Sequence, residues 1–489
     1  MSRHHTARVL VYTHRWLGIG LGVLFVVWFI SGVVMMYARM PELPAAERLA
    51  RLPVINPDSI RVPPTSPGEG EVARLTIGTL EGRPVYRVVA RGRTTITFAD
   101  AGGDAPRVDA DQAMRIARAF EGGLHTLRYD TRLTDADQWS FGIRGRLPVH
   151  RIAVDDRDAT ELYVTEVGGD VVLRTNASGR FWGWTGAVLH WIYFTPLRRN
   201  GPLWNEVVVW TSIAGTIMCL AGLGWGIWRL APRRGYRLRR EQHWSPYSGW
   251  MRWHHYAGLI FGLVTTTWIF SGLLSMDPLD WHPSTAPTRE QRQAVTGGAI
   301  EPSELTVDRL RAALRATSPG GAKEVEIVRF RGDYYAASAE GLVSMANPGL
   351  GLIERIADEE IADLARRAMP DVPVKESAWL NAYDAYYYDR DGALSLPVLR
   401  VKYADARHTW LYFDPSRAAV VRKEERLTRL NRWLYHGLHS LDFPFLYYRR
   451  PLWDLVVIVL SLGGIVLSAT TLSYSWRRIR PRTARRMAR

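Results

Sequence analysis

Four histidines in this sequence lie beside long apolar stretches, where imidazoles are uncommon. His14 and His254 each precede such a stretch, and His190 and His439 lie in aromatic segments shortly before two others. An ionisable side chain at the edge of a bilayer is costly unless it has a partner, so such residues are functional candidates. Facing imidazoles on neighbouring helices can hold a haem iron, and the chemistry would then be electron transfer.

Four segments of the chain are long enough to cross a bilayer. Each has roughly 20 apolar residues and no charged side chain; they are 16–38, 207–228, 256–276 and 455–476. The first is longer than the apolar core of a cleaved signal peptide, which has about 7–15 residues. We therefore expect a retained helix there and four membrane helices in all.

The net charge of +15 is concentrated beside these segments. Residues 1–15 carry three arginines and no acid, residues 229–253 seven arginines and one glutamate, and residues 477–489 seven arginines and no acid. Basic residues beside membrane helices mark the cytoplasmic side. Both termini and the middle loop are thus predicted to be cytoplasmic, and the long segments periplasmic, in a bacterial inner membrane. The charge indicates contact with membrane lipid and not nucleic-acid binding.

The two halves of the chain repeat one another. At an offset of 240, the identical residues are His14/His254, Gly18/Gly258, Gly22/Gly262, Trp28/Trp268, Ser31/Ser271 and Gly32/Gly272. At an offset of 249, they include Leu147/Leu396, Pro148/Pro397, Arg151/Arg400, His190/His439, Phe194/Phe443 and Trp204/Trp453. We predict a tandem duplication with pseudo-twofold symmetry, split near residue 243.

The repeat predicts how the four histidines pair. His14 and His190 belong to the same half but are expected at opposite membrane surfaces, so one iron would not reach both. The pairs should form between halves, His14 with His254 and His190 with His439. Each pair would supply the two axial ligands of a b-type haem, which gives two haems stacked across the membrane.

Arginines and glycines beside the histidines have two interpretations. Arg15 and Arg252 could pair with haem propionates, or they could only mark the cytoplasmic side. Four glycines would leave room for a flat porphyrin or would let helices pack closely; they are Gly18, Gly22, Gly258 and Gly262.

Two further histidines leave the choice of ligand open. His255 adjoins His254, and the repeat favours His254. His436 precedes His439 by three residues, on the same face of a helix, and is an alternative ligand or a supporting group. Its counterpart in the first half is Ala187. Zinc is a weaker option than haem iron, because no acidic or thiol ligands surround these histidines.

Several kinds of chemistry are excluded by what the sequence lacks. Cys219 is the only cysteine, which excludes disulfides, cysteine-based zinc or iron–sulfur sites, and covalent c-type haem. The sequence has no dinucleotide fingerprint, P-loop, Gly-x-Ser-x-Gly or His-Glu-x-x-His motif. Electrons would then come from a quinol or a separate reductase, and no side chain is assigned a catalytic role.

The segments between the membrane helices have α+β patterns. Alternating residues predict strands at 85–90, 94–98, 149–154, 161–165, 398–403 and 409–413. Helical periodicity is found at 109–120, with Met114 and Ala117 facing inward, and at 307–316 and 358–368. The proline-rich segment 53–67 is typical of a linker.

The motifs around the histidines resemble those of a known family. Thr13 to Gly18, the Trp253-His254-His255 entry to the third helix and Gly437-Leu438-His439 are similar to the PepSY-associated transmembrane family. The Leu-Pro-Val-x-Arg strands resemble PepSY domains. The resemblance covers nearly the whole chain and implies a relative of iron-regulated membrane proteins and ferric-siderophore reductases. It places the family's histidines of the first and third helices on His14 and His254, and its His-x-x-Leu-His motif on His436 and His439. The first half has Ala187 in place of the first histidine of that motif, so the resemblance implies the final histidine as the ligand in both halves and argues against an essential role for His436.

These observations predict a membrane α-helical protein with two periplasmic α+β PepSY-like domains. The expected order is cytoplasmic N-terminus and first helix (1–38), first domain (39–181), edge helix and second helix (182–230), cytoplasmic loop (231–253), third helix (254–276), second domain (277–430), edge helix and fourth helix (431–476) and basic tail (477–489).

The expected function is a dihaem oxidoreductase that passes electrons outward to a ferric siderophore or another ferric chelate. One alternative is a transporter for iron, haem or a siderophore, but no membrane segment has an internal proline or a central charge. Another alternative is a scaffold whose PepSY domains bind partner proteins, which would need no cofactor.

Overall fold

A computed structural model describes residues 3–479 of the chain, except 67, 69, 234, 239, 240, 319, 390 and 391. The predicted basic tail falls largely outside these residues, as do Arg234, Arg239 and Arg240 of the predicted cytoplasmic loop.

The helices of the described chain, in order, are α1 Arg3–Met35, α2 Ala45–Arg51, α3 Ala110–Phe120, α4 Ala177–Gly183, α5 Leu189–Trp191, α6 Thr195–Arg199, α7 Gly201–Arg229, α8 Trp250–Leu274, α9 Arg289–Thr296, α10 Val307–Thr317, α11 Asp358–Arg367, α12 Arg426–Asn431, α13 Leu438–Ser440, α14 Pro444–Tyr447 and α15 Leu452–Ile479. Two π-helical segments, Trp184–Val188 and Arg432–Gly437, precede α5 and α13. Short 3-10 segments are Pro57–Ser59, Ser140–Arg146, Pro278–Asp280, Pro302–Glu304 and Pro348–Leu350.

The strands, in order, are β1 Val72–Leu80, β2 Arg83–Ala90, β3 Arg93–Phe98, β4 Leu127–Leu133, β5 Val149–Val154, β6 Glu161–Thr165, β7 Val171–Thr175, β8 Tyr236–Leu238, β9 Glu241–His243, β10 Val325–Phe330, β11 Asp333–Ala337, β12 Leu342–Ser344, β13 Leu352–Ile353, β14 Val374–Leu380, β15 Val398–Tyr403, β16 Trp410–Asp414 and β17 Ala419–Glu424.

The chain folds into two compact units. The helical unit lies within Met1–Met40, Ser178–His282 and Leu430–Arg489, and the sheet unit lies within Pro41–Ala177 and Pro283–Arg429. Among the described residues, α1, α7, α8 and α15 are long and apolar enough to cross a membrane. The protein is therefore a membrane protein, as the apolar segments predicted.

The four membrane helices form a bundle in which each packs against two others. α1 and α8 each contact both α7 and α15. The outer surface of α1 is apolar, because Trp16, Val23 and Ile30, seven residues apart, are all exposed. Large exposed apolar side chains at this spacing suit contact with lipid tails, since seven residues make two helical turns.

The membrane helices extend beyond the apolar segments that predicted them. α1 begins at Arg3, well before residue 16, and α8 begins at Trp250. A helix continues into its polar flank wherever the local residues favour it, because only the apolar part must match the bilayer.

The sheet unit combines the two long segments that were predicted as separate domains. A seven-stranded sheet has the order β13-β12-β11-β10-β1-β2-β3 in the described part of the chain. Its central pair, β1 and β10, is antiparallel and joins the two segments, with Thr76 opposite Glu326. The two segments predicted as separate domains thus share one sheet and belong to the same compact unit. Pairing across more than 200 residues is not visible in local sequence patterns.

Two smaller sheets flank this arrangement, with the orders β4-β5-β6-β7 and β14-β15-β16-β17. Helix α3 covers the first through Ala113, Ala117 and Phe120, while Met114 is partly buried. Helix α11 covers the second through Ile361 and Leu364. These helices lie where they were predicted, because their buried residues follow the helical period.

The predicted linker is packed into the sheet unit rather than free. Ile55 and Ile60 are fully buried in its core, and the amide of Ile55 donates to the carbonyl of Ala322. The prolines suggested a linker, but burial of the two isoleucines stabilises the segment against the sheet.

Candidate functional site

The structure brings the four histidines together as two pairs within the helical unit. The ring centres of His14 and His254 lie 5.9 Å apart, with their planes at 42°. Those of His190 and His439 lie 6.0 Å apart, with their planes at 72°. The pairs join the two halves of the chain in the combinations that the repeat suggested.

The bundle separates the two pairs along its length. His14 lies on α1, and Ser31, on the same helix, contacts His190. His254 and Ser271 have the same relation to His439 on α8. In each helix 17 residues separate the two positions, which corresponds to about 25 Å at 1.5 Å per residue.

His190 and His439 are presented by two turns of the same shape. Each follows a π-helical segment, within a helix of three residues. The chain then reverses through Ile192 and Leu441, whose φ angles are 55° and 49°. A positive φ is costly for residues with a branched side chain. π-helical turns and such backbone strain concentrate at functional sites.

The Nδ1 atoms of the first pair contact the neighbouring helices. His14 Nδ1 lies 2.9 Å from the carbonyl oxygen of Met218 on α7. His254 Nδ1 lies 3.0 Å from Thr470 Oγ1 and 3.3 Å from the carbonyl oxygen of Leu467, both on α15. Because a carbonyl oxygen can only accept, these contacts place the ring proton on Nδ1.

The second pair follows the same pattern with serines. His190 Nδ1 lies 3.1 Å from Ser31 Oγ. His439 Nδ1 lies 3.1 Å from both Ser271 Oγ and the carbonyl oxygen of Trp268. With Nδ1 held in this way, Nε2 is the ring nitrogen left for a metal in all four histidines. Metal-ligating histidines almost always donate their other ring N–H to such an acceptor.

The distance within each pair fits a haem iron between the rings. With about 2.0 Å from each imidazole nitrogen to the metal and roughly 1.1 Å on to the ring centre, two axial imidazoles have ring centres about 6.2 Å apart. The observed 5.9 and 6.0 Å lie within a few tenths of an ångström of that value.

A bare metal ion fits the pairs less well than a haem. Within the described ranges, no group of three or more His, Cys, Asp or Glu side chains is placed to hold a metal ion. Structural zinc needs four ligands, whereas a porphyrin supplies four nitrogens of its own. A site with two protein ligands therefore suits a haem, and the chemistry of this donor set fits the b-type group expected from the sequence.

A cavity of about 340 Å³ surrounds the His14–His254 pair. Its size falls in the range of about 300–1,000 Å³ that is typical of ligand pockets. Apolar side chains and the four predicted glycines, Gly18, Gly22, Gly258 and Gly262, are part of its lining. A Cβ on these glycines would also touch side chains of neighbouring helices. The lack of side chains at these positions therefore both leaves room in the cavity and lets the helices pack closely.

Glycines also lie directly against the histidine rings. A Cβ on Gly222 would overlap the ring of His14. A Cβ on Gly32 or Gly272 would come within 3.4 Å of the Cε1 atom of His190 or His439. A side chain at position 222 would therefore force the ring of His14 to move, whereas one at position 32 or 272 would press closely against His190 or His439.

The structure uses His255 differently from His254. His255 is buried, with Nδ1 2.8 Å from Ser245 Oγ and Nε2 2.8 Å from the carbonyl oxygen of Gly226. Both ring nitrogens are therefore engaged, and neither is left for an iron. His255 instead ties the segment before α8 to α7.

His436 lies outside the pair that it was expected to support. It is exposed, and its ring contacts Tyr435 at 4.5 Å between ring centres. Tyr435 also contacts His439, at 5.7 Å. Tyr435 thus contacts both histidine rings, and the pairing of His190 with His439 does not include His436.

The two arginines suggested for haem propionates have different surroundings. Arg15 is part of the lining of the cavity, and its guanidinium lies 5.6 Å from the ring centre of Tyr12. Arg252 donates to the carbonyl oxygen of Tyr247 and lies 3.4 Å from His243 Nδ1. Arg15 is therefore the better placed of the two to meet a group in the cavity.

Aromatic side chains fill the bundle between the pairs. Phe25, which is part of the lining of the cavity, contacts Trp28 at 5.8 Å, and Phe29 contacts Trp268 at 5.9 Å. Trp28 Nε1 donates to the carbonyl oxygen of His190 over 2.9 Å. A closely packed chain of rings thus connects the wall of the cavity with the backbone of the second pair.

Comparison with known proteins identifies the family. The family model of the PepSY-associated TM region matches residues 11–478, almost the whole chain. The chain belongs to the PepSY-associated transmembrane family. No curated protein matches the sequence. The match covers all four membrane helices of this PepSY-associated protein, and therefore both histidine pairs.

Several site residues of this PepSY-associated protein were not identified as such from its sequence. Ser31 and Ser271 were noticed only as repeat identities, although their hydroxyls contact the second pair. No sequence pattern indicated a role for Thr470 or for the carbonyl groups of Met218 and Leu467, because contacts between helices that are distant in the chain leave no local pattern.

Proposed function

We propose that this protein is a dihaem b-type oxidoreductase of the bacterial inner membrane, which passes electrons outward to a periplasmic ferric chelate. The observation that supports it best is the presence of two histidine pairs with ring centres 5.9 and 6.0 Å apart. Each pair joins the two halves of the chain, and each histidine has its Nδ1 engaged and its Nε2 left for iron.

Four histidines of the chain would hold the cofactors. His14 and His254 would bind one haem iron, and His190 and His439 the other. Each bound haem would supply a one-electron Fe(III)/Fe(II) couple. The acceptors at Nδ1 keep the rings in orientation, while the apolar lining of the first cavity excludes water. Exclusion of water would lower the dielectric around the haem held by His14 and His254, and the local dielectric helps to set its redox potential.

The orientation follows from the charge distribution. The basic segments 1–15 and 229–253 adjoin the end of the bundle that contains His14 and His254, so we assign this pair to the cytoplasmic side. The His190–His439 pair then lies near the periplasm. The equal spacing on α1 and α8 and the matching turns at Ile192 and Leu441 support a tandem duplication with pseudo-twofold symmetry.

Aromatic and basic residues near the periplasmic pair are candidates for contact with the acceptor. Trp182, Trp184 and Trp191 are exposed. The guanidinium of Arg198 lies 4.4 Å from the ring centre of Trp204. Anionic ferric chelates with aromatic arms would find complementary charge and stacking surfaces here. The electron donor on the other side would be a quinol or a separate reductase.

The test is electron transfer to ferric chelates from the purified, chemically reduced protein. Haem oxidation would be followed by absorbance after mixing with a ferric trihydroxamate, a ferric tricatecholate or ferric EDTA, and the ferrous product would be trapped. Each electron lost by the protein should appear as one ferrous ion.

Matched variants make this test decisive. The double variant His190→Ala/His439→Ala should lose rapid chelate reduction, whereas His125→Ala, an exposed histidine of the sheet unit, should retain it. If the double variant reduced chelates as fast as the native protein, the proposed route would be wrong. Full biological function of a variant without the four histidines would favour a scaffold.

A further inference from the structure

The hydroxyl groups beside the histidines have a common hydrogen-bonding pattern. Ser31 Oγ lies 3.2 Å from the carbonyl oxygen of Trp28, and Ser271 Oγ lies 3.0 Å from that of Trp268. Thr470 Oγ1 lies 2.7 Å from the carbonyl oxygen of Leu467. In each case the acceptor is three residues earlier on the same helix, a common arrangement for helical Ser and Thr.

A hydroxyl has one proton and two lone pairs. If that proton is donated to the helix carbonyl, the oxygen can meet the histidine only as an acceptor. His190, His439 and His254 must then each carry a proton on Nδ1. Carbonyl oxygens, which cannot donate, lie close to Nδ1 of His439 and His254 and require the same tautomer.

We propose that Ser31 is a positioning residue that fixes the tautomer of His190, and that Ser271 and Thr470 support the tautomer that backbone carbonyl oxygens already require at His439 and His254. Each hydroxyl then influences the affinity and the potential of its own haem. This inference rests on the proposed function for its haem readouts only. His14 has the same tautomer without a hydroxyl, because its Nδ1 contacts the carbonyl oxygen of Met218. In the outer, periplasmic pair, the Ser31 hydroxyl contacts His190 and the Ser271 hydroxyl contacts His439. In the inner, cytoplasmic pair, two hydroxyls contact His254, because Thr471 Oγ1 also lies 3.4 Å from its Nδ1.

The effect of each hydroxyl on its haem follows from the electron density on the imidazole ring. An acceptor at Nδ1 makes the imidazole more basic at Nε2 and favours ferric over ferrous iron. Loss of the acceptor should raise the potential of that haem. It also leaves the neutral ring free to move its proton to Nε2, where it would block the iron.

The first readout needs no haem. In the full-length apoprotein, labelled with ¹⁵N in its histidines, His190 and His439 should have their proton on Nδ1. The variant Ser31→Ala/Ser271→Ala should show a loss of this tautomer at His190, whereas His439 should keep it, because the carbonyl oxygen of Trp268 still lies 3.1 Å from its Nδ1. Ser31→Thr/Ser271→Thr, which keep the hydroxyls, should restore the tautomer at His190. An unchanged tautomer of His190 in the alanine variant would overturn the inference whether or not the protein binds haem.

The second readout is the haem itself. Ser31→Ala and Ser271→Ala should each weaken haem binding at the outer site, by about 10–100-fold, and raise the midpoint potential of that haem alone. Thr470→Ala should have a smaller effect, confined to the inner site, because Thr471 Oγ1 and the carbonyl oxygen of Leu467 also lie within 3.4 Å of His254 Nδ1. Ser212→Ala and Ser461→Ala are matched controls, because both serines are buried in the same bundle. If the controls shifted the potentials as much as the test variants, or if the test variants shifted neither potential, the proposal would fail while the dihaem function could still stand.

Discussion

The imidazole planes of His190 and His439 meet at 72°, with ring centres 6.0 Å apart. The planes of the inner pair meet at only 42° at almost the same separation. The two histidine pairs therefore have nearly the same spacing but differ in the relative rotation of their rings. The angle between axial imidazole planes determines how the d orbitals of a low-spin ferric iron split.

We expect the two haems to give different electron paramagnetic resonance signals. The outer haem, with planes closer to perpendicular, should have the more anisotropic signal and the larger maximum g value. Spectra of frozen, oxidised protein would show both, and variants that lack one pair would assign them. Two identical signals, or the larger g value at the inner site, would contradict the geometry.

Gly222 limits the space beside His14, because a Cβ at that position would overlap the imidazole ring. Gly222→Ala should displace the ring and remove the inner haem, while the outer haem remains. Gly224→Ala, on the same helix, has open space around the added carbon and should leave both haems in place. Haem content per chain would be measured by absorbance. Full haem content in the Gly222 variant would show that the ring position is not essential.

The turn that presents His439 contains a buried ion pair. Arg432 donates to the carboxylate and to the carbonyl oxygen of Asp442, each over 2.8 Å. The repeat places Gly183 and Tyr193 at the equivalent positions of the first half, where the same turn forms without the pair. Removal of one member leaves an uncompensated buried charge, which typically costs about 3–5 kcal/mol.

Asp442→Ala should therefore lower the thermal unfolding temperature and reduce haem binding at the outer site. The double variant Arg432→Met/Asp442→Leu should recover much of the loss, because a buried pair can be replaced by apolar side chains. Glu206→Gln changes an exposed acid of α7 and serves as the control. An unchanged unfolding temperature in Asp442→Ala would show that the pair contributes little.

The sheet unit contains an ion pair that should make its stability depend on pH. The Arg48 guanidinium makes two hydrogen bonds to the Glu324 carboxylate, at 3.0 and 2.7 Å. Burial favours a higher pKa for Glu324, but the hydrogen bonds and charge of Arg48 outweigh it, and the pKa lies below its usual value. A lowered pKa means that the folded state holds this proton less tightly than the unfolded chain does.

The stabilisation is therefore present above the unfolded pKa of about 4.3 and is lost as pH falls through the lower folded pKa. At neutral pH, Glu324→Gln should cost about 1.5–3 kcal/mol, the usual contribution of a hydrogen bond to a charged group. Below about pH 4 the difference from the native protein should shrink. Unfolding of the full chain would be followed from pH 3 to 7, with the exposed Glu354→Gln as control. A difference that stayed constant across this range would rule out the ion pair as its source.

Local patterns in the sequence predicted much of the architecture. Strands at 149–154, 161–165 and 398–403 have the predicted bounds, because short runs rich in β-branched and aromatic residues are a local signal. The β1–β10 pairing and the burial of Ile55 and Ile60 were missed, since they depend on contacts between residues far apart in the chain.

The candidate site, too, could be predicted only in part. The internal repeat relates residues 240 positions apart in the chain, and it therefore predicted the pairing of His14 with His254. The choice between His254 and His255 needed the hydrogen bonds of Ser245 and Gly226, and the position of His436 needed the π-helical turn. Neither feature has a recognisable sequence pattern.

The most direct test of the account is an absorption spectrum of the detergent-purified protein, oxidised and reduced by dithionite, with haem counted per chain. We predict b-type spectra with two haems per chain, one haem after His14→Ala/His254→Ala or His190→Ala/His439→Ala, and none when all four histidines are replaced. A colourless protein after expression with ample haem, or a haem content that survives replacement of all four histidines, would contradict the account.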